Sequence, residues 1–123
     1  MKKYQHISNS EIKIMEYIWK TGRAVTTAEI MENLPEGIEW SQKTVITFLG
    51  RLSKKGILKS TRIGRAFHYE ACITEKEYRS YETKQFVNDV HKGSIFGFVS
   101  ALCDNGDLTR EDIEALMERL KER

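Results

Sequence analysis

Trp40-Ser-Gln-Lys-Thr-Val-Ile-Thr-Phe-Leu-Gly-Arg-Leu-Ser-Lys-Lys-Gly56 is the stretch whose reading decides the fold. As a helix from Ser41 to about Lys55 it gathers Val45, Phe48, Leu49 and Leu52 on one side, the i, i+3, i+4, i+7 spacing of a core-facing stripe. At about 100° per residue the opposite side carries Lys43, Thr47, Gly50 and Lys54, flanked by Ile46 and Arg51. No acidic residue falls on that outer face. A cationic, hydroxyl-bearing surface with a glycine for close approach suits the DNA major groove, where lysines meet phosphates and small polar groups reach base edges. Alone, such a helix also fits an ordinary solvated face, so the flanking chain has to decide.

Outward from it, helix starts are marked by capping boxes. Ser8…Glu11, Thr26…Glu29, Thr74…Glu77 and Thr109…Asp112 each place a hydroxyl three residues before a carboxylate, with apolar staples alongside. Ser41 lacks the box partner, but Trp40 and Val45 hold the staple positions. Helices are expected at about 8–20, 27–34, 41–55, 74–91, 94–104 and 109–122. The first buries Ile12, Met15, Ile18 and Trp19 and ends at Thr21-Gly22, a glycine C-cap. Pro35-Glu-Gly37 is a turn signal. After Gly56 the period changes to two. Ile57–Ile63 and Ala66–Cys72 are strand-like runs joined at Gly64-Arg65, a two-residue hairpin connection.

Three helices followed by a hairpin define the winged form of the helix-turn-helix. The fold class is therefore mainly α with a small β-hairpin: a winged helix over 1–73 for DNA binding, then a helical dimerisation arm over 74–123. The hairpin is basic, with Lys59, Arg62 and Arg65, and His68 on its return strand. It would lie along phosphates or reach the neighbouring minor groove. The plainer alternative is an edge hairpin blunted by charge against aggregation.

Charge divides along the same line. Residues 1–72 carry 12 Lys+Arg against 7 Asp+Glu, and residues 73–123 carry 8 against 11, so +5 is followed by −3. A polyanion is expected at the first part only. The second part holds Tyr81, Phe86, Val90, Ile95, Phe96, Phe98, Val99, Leu102, Ile113, Leu116, Met117 and Leu120, more apolar groups than three short helices can hide. A second copy related by a two-fold axis is the simplest cover, with Phe86, Val90, Phe96, Val99, Leu102, Ile113, Leu116 and Leu120 at the contact. Packing back onto the winged helix is the alternative.

Enzymatic chemistry finds no foothold. His6, His68 and His91 lack ligand spacing, and the chain has neither a Gly-rich phosphate loop nor a nucleophile elbow, so no metal and no cofactor is expected. Cys72 and Cys103 read as buried or semi-buried small hydrophobes in a reducing cytosol. Met1-Lys-Lys-Tyr-Gln-His6 has no apolar stretch behind it, and no run reaches the ~18 apolar residues of a membrane span. A cytoplasmic protein without membrane insertion is the expectation.

Ile7-Ser8…Glu11…Met15…Ile18-Trp19, Thr27-Ala28-Glu29-Ile30, Trp40-Ser41…Lys43-Thr44-Val45…Leu49…Arg51-Leu52…Lys54-Lys55-Gly56 and Phe67…Tyr69 together resemble the penicillinase-repressor family (BlaI/MecI type, with the copper-responsive CopY type as its other branch). The resemblance runs over nearly the whole chain. It implies a homodimeric repressor of β-lactam-resistance genes, bound to a palindromic double-stranded DNA operator. It also implies release when a protease linked to a membrane sensor-transducer cuts the dimerisation arm. Aligned on Gly93…Phe98-Val99 and Asp107-Leu108-Thr109, the cut falls at Ala101-Leu102, where the family's usual Asn-Phe pair is replaced. The paired C-x-C motifs of the copper branch are missing after Leu120, which disfavours copper sensing. The expected DNA contacts are Lys43, Thr44, Thr47 and Arg51 in the groove, Ile46 against a thymine methyl, and Ser41, Lys54, Arg62 and Arg65 on the backbone. Two other readings stay open: a protein-interaction module, and a metal sensor using His68, Cys72 and Cys103.

Overall fold

The computed structural model describes residues 5–123. The first four residues, part of the stretch expected to lack a leader's apolar core, lie outside them. The chain runs α1 (Asn9–Thr21), β1 (Val25–Thr26), α2 (Thr27–Glu32), α3 (Gln42–Lys54), β2 (Leu58–Ile63), β3 (Ala66–Ala71), α4 (Glu75–Val90), α5 (Ile95–Asp104) and α6 (Arg110–Lys121). It forms two compact units, Met1–Glu82 and Thr83–Arg123, the boundary falling within α4.

Local sequence closes the helix ends. Ser8 Oγ accepts from the Glu11 N–H at 3.1 Å while the Glu11 carboxylate accepts from the Ser8 N–H at 2.8 Å. Thr26–Glu29, Thr74–Glu77 and Thr109–Asp112 repeat this reciprocal pair. Gly22 ends α1 at φ 69°, its N–H bonded to the Ile18 carbonyl. The hairpin turns at Gly64-Arg65, with Ile63 opposite Ala66 and Gly64 at φ 64°, as the first central position of a type II′ turn demands.

The sheet has three strands in the order β1-β3-β2, not the two expected. Val25 and Thr26 pair with Tyr69 and His68, which makes β3 the central strand. Two residues carry no readable period, and Val25 shows in the sequence only as a staple.

The core of the first unit joins Ile14, Met15 and Ile18 of α1 to Ile30, to Val45, Leu49 and Leu52 of α3, and to Leu58 and Tyr78. Ile14, not Ile12, completes the buried stripe of α1; Ile12 and Trp19 pack against it half-buried. Phe48 is also half-buried, edge-on to Trp40 with ring centroids 5.0 Å apart. The cysteines are exposed, contrary to expectation. Cys72 follows Ala71, which faces the core opposite Leu58, so strand alternation turns the thiol outward. Cys103 shares the open side of α5 with Phe96 and Val99.

A polar cluster ties α3 to its neighbours. Lys55, just past the end of α3, donates to Glu11 Oε1 at 2.6 Å and to the His6 carbonyl at 2.8 Å. Tyr78 accepts from the Ile7 N–H at 3.0 Å and donates to Glu82 at 2.8 Å, and His6 Nδ1 lies 3.3 Å from Glu82. The chain at His6 is thus held to both α3 and α4. Burial alone would raise the pKa of the Glu11 carboxyl; the hydrogen bonds from Lys55 and Ser8 outweigh it and hold the pKa below the usual value of 4.5.

Glu11 is 1% exposed and its second oxygen has no hydrogen-bond partner, so Lys55→Met strands a buried charge. We expect a loss of about 3 kcal/mol in urea denaturation at pH 7. Because its folded pKa is depressed, ionised Glu11 contributes stability above about pH 4.5 that is lost as pH falls through the lower folded value. The wild type should therefore weaken in acid more steeply than Glu11→Gln; equal acid slopes would show that Glu11 plays no part in acid unfolding.

Candidate nucleic-acid interface

Burial of Val45, Leu49 and Leu52 orients α3 and leaves Lys43, Ile46, Thr47, Gly50, Arg51 and Lys54 exposed on the other side. Ile46, at 47% exposed, is the apolar member of that face. Both helix ends are braced. Ser41 Oγ accepts from the Thr44 N–H at 3.1 Å, with the Trp40–Phe48 contact beside it, and Lys55 anchors the far end to Glu11. The Arg51 guanidinium lies 5.9 Å from the centre of the Phe48 ring. Two expected contact groups are engaged within the helix. Thr47 Oγ1 donates to the Lys43 carbonyl at 3.0 Å, and Thr44 Oγ1 shares a hydrogen bond with Ser41 Oγ at 3.0 Å, with Thr44 half-buried.

From Trp40 to Tyr69 there are thirty residues with seven Lys or Arg and not one Asp or Glu. Among the described residues only Lys55 of the seven meets a carboxylate. The hairpin contributes three of these cations but divides them. Arg62 stands opposite Phe67 on the sheet face that also carries Leu58 and Tyr69; Lys59 stands opposite Glu70 on the other. Arg62 Nε donates to the Gly64 carbonyl at 3.3 Å and its guanidinium lies 5.9 Å from the Phe67 ring centre, while Arg65 projects at the turn. Sequence reasoning missed two exposed apolar groups here, Ile63 at 60% and Phe67 at 49%. Alternation along the strand hides that the tip extends past the core.

In the second unit Phe86, His91 and Phe98 form an aromatic cluster with centroids 5.6 to 6.1 Å apart. No sequence signal marks His91 for that role, since it follows the end of α4. Of the expected dimer-contact residues, Phe86, Val90, Phe96, Val99, Ile113, Leu116 and Leu120 are exposed, Phe96 reaching 83%, and Leu102 is half-buried. Met117 and Ile95 are exposed with them. Ala101 and Leu102 lie inside α5, both half-buried. Among the described residues no group of three His, Cys, Asp or Glu side chains is placed to hold a metal ion, and no helix is long and apolar enough to cross a membrane.

Three helices, a three-stranded sheet and a basic hairpin define a winged helix-turn-helix protein. The penicillinase repressor family model matches residues 7–122, and the chain belongs to that family, whose members are regulators and not enzymes. It is 35% identical to the penicillinase repressor of Bacillus licheniformis over 99% of this chain and 94% of that one. It is 30% identical to the methicillin resistance regulatory protein MecI of Mammaliicoccus sciuri, over 98% of each. Among solved structures it resembles the DNA-binding domain of the repressor BlaI, with TM-score 0.55 and 41% identity over 63% of this chain and 94% of that one. The Bacillus licheniformis BlaI monomeric form in complex with the blaP half-operator matches with TM-score 0.53, at the same identity and coverage.

Gly50 separates stability from binding. A Cβ added there meets nothing within 4 Å, so Gly50→Ala should raise stability by about 0.5–1 kcal/mol through helix propensity. On a face that DNA approaches closely the same methyl should weaken binding. Urea midpoints and fluorescence anisotropy with duplex DNA would read the two effects; a variant gaining in both places DNA elsewhere.

Proposed function

We propose that this chain is a transcriptional repressor that binds a palindromic operator as a homodimer, in the cytoplasm, and controls genes of the β-lactam-resistance type. The observation that carries the reading is the acid-free outer face of α3, held outward by Val45, Leu49 and Leu52 and flanked by the basic hairpin. In this reading Lys43, Thr47 and Arg51 face the major groove with Ile46 against a thymine methyl, and Thr44 lies at the helix start. Ser41, Lys54, Arg62 and Arg65 follow the backbone. A monomeric relative bound to a half-operator supports one chain per half-site.

The arm supplies the second chain. Large apolar residues left in water along α4, α5 and α6 favour a two-fold partner that covers them. Two α3 helices then meet half-sites about one DNA turn, ~34 Å, apart. The inducing step is proteolysis in α5 by a sensor-linked protease. With Ala101-Leu102 inside a helix, that cut requires α5 to open locally.

Each phosphate-neutralising side chain removed should lower the log–log salt slope of binding by about one, so Lys54→Ala with Arg65→Ala, four side chains per dimer, is expected to lower it by about four. Phe96→Asp with Leu116→Asp should sediment as a monomer and bind a dyad site poorly while keeping half-site affinity. A double variant that still sediments as a dimer contradicts the arm as the interface.

A further inference from the structure

We propose that the cleft where the end of α1, the end of β3 and the start of α4 meet is a binding site for a small organic cation, an aromatic ring carried on an alkylammonium group. None of the proposed DNA contacts lines this cleft, so failure of either reading leaves the other standing.

The cleft lies within the first unit and measures about 370 Å³, a size that takes a small ligand. Buried Ile18 and Ile73, with half-buried Trp19 and Ala71, give it an apolar bed. That bed is preformed. Trp19 Nε1 donates to the Ile73 carbonyl at 2.9 Å, which fixes the indole, and the Thr74–Glu77 capping box fixes the start of α4 beside it. A site already ordered loses little entropy when a ligand enters.

Charge selects the ligand. The acid-free run ends at Glu70, and Glu70, Glu75 and Glu77 line the cleft against a single cation, Arg23. Lys76, between two of these carboxylates in sequence, does not line it. Arg23 is already taken up by Glu29 at 2.6 Å and by the Ala24 carbonyl at 2.9 Å, and Glu75 by Arg79 at 2.7 Å. Glu77 gives only Oε1 to the Thr74 cap. Glu70 stands opposite Lys59 in the strand register, yet among the described residues its carboxylate has no hydrogen-bond or ion-pair partner. Glu70 and Glu77 thus bring two unmatched negative charges to an indole-walled cleft. An anion would meet both with no free cation to hold it, and a neutral ring would use the bed alone. An ammonium group gains the carboxylates and, over the indole face, the attraction of the ring.

The test titrates the reduced full-length protein by calorimetry with three indoles of similar size: cationic tryptamine, neutral tryptophol and anionic indole-3-acetate. In parallel, iodoacetamide labelling read by mass spectrometry follows each thiol, since exposed Cys72 lines the cleft and exposed Cys103 lies in the other unit. At low salt tryptamine should bind about three- to tenfold more tightly than tryptophol, the scale of a partly screened ion pair with a ring contact, and indole-3-acetate more weakly than either. Tryptamine at about ten times its Kd should slow labelling of Cys72 roughly tenfold and leave Cys103 unchanged. Glu70→Gln with Glu77→Gln keeps the helix cap, which glutamine also serves, and should bring tryptamine down to the affinity of tryptophol. Equal affinity for all three indoles, a preference for the anion, or a double variant that binds tryptamine as the wild type does would overturn the cation assignment. Binding heat without protection of Cys72, protection of both cysteines alike, or no binding of tryptamine at millimolar concentration would overturn the site.

Discussion

Everything in the first unit depends on holding α3 by one side only. Its apolar stripe must be buried deeply enough to fix the helix while the opposite face stays bare, and both ends must be pinned without covering that face. The stripe is met by Ile14, Met15 and Ile18 of α1 and by Leu58. The start is pinned by the Ser41 cap and the Trp40–Phe48 contact, and the end by Lys55 reaching Glu11. A buried ion pair contributes little net stability over an apolar pair of the same shape. What it contributes here is register. Glu11 also closes the capping box of α1, so one carboxylate sets the start of α1 against the end of α3. The same cluster reaches α4 through Ile7 and Tyr78, whose phenol is pushed up in pKa by burial and by the neighbouring Glu82.

How much of this is legible in the sequence follows from the range of each interaction. A capping box joins residues three apart, and all four can be read directly from the chain. The Gly64-Arg65 turn is local in the same way, as is the stripe Val45, Leu49, Leu52. The Glu11–Lys55 pair joins residues 44 apart, and no pattern in the chain announces it. β1 is too short to show a period, and its partner β3 reads equally well as an edge strand without it. Local polar geometry is also beyond reach. Thr44 and Thr47 read as DNA contacts, and nothing in the chain shows that both hydroxyls turn back to partners in or at the start of their own helix. Cys72 and Cys103 depart from expectation because cysteine's general preference for burial says nothing of the facing of a strand end or of α5.

The second unit is built differently. Its helices are capped as well as those of the first, by Ser94 and by Thr109 with Asp112, so their secondary structure is locally determined. Its packing is not self-sufficient: Val87 is its one buried large apolar residue among those described, beside the Phe86, His91 and Phe98 cluster. Short helices with so little enclosed surface gain little from hydrophobic burial on their own. On the proposed reading a second copy covers this unit, and opening α5 would withdraw that cover.

The most direct measurement is selection of bound sequences from a random DNA pool by the purified protein at moderate salt. A two-fold symmetric site is expected, its half-sites about one helical turn apart, as two α3 helices joined through the arms require. A pool that stays unenriched after repeated rounds would contradict paired operator binding, leaving only unspecific attraction of a basic surface for a polyanion.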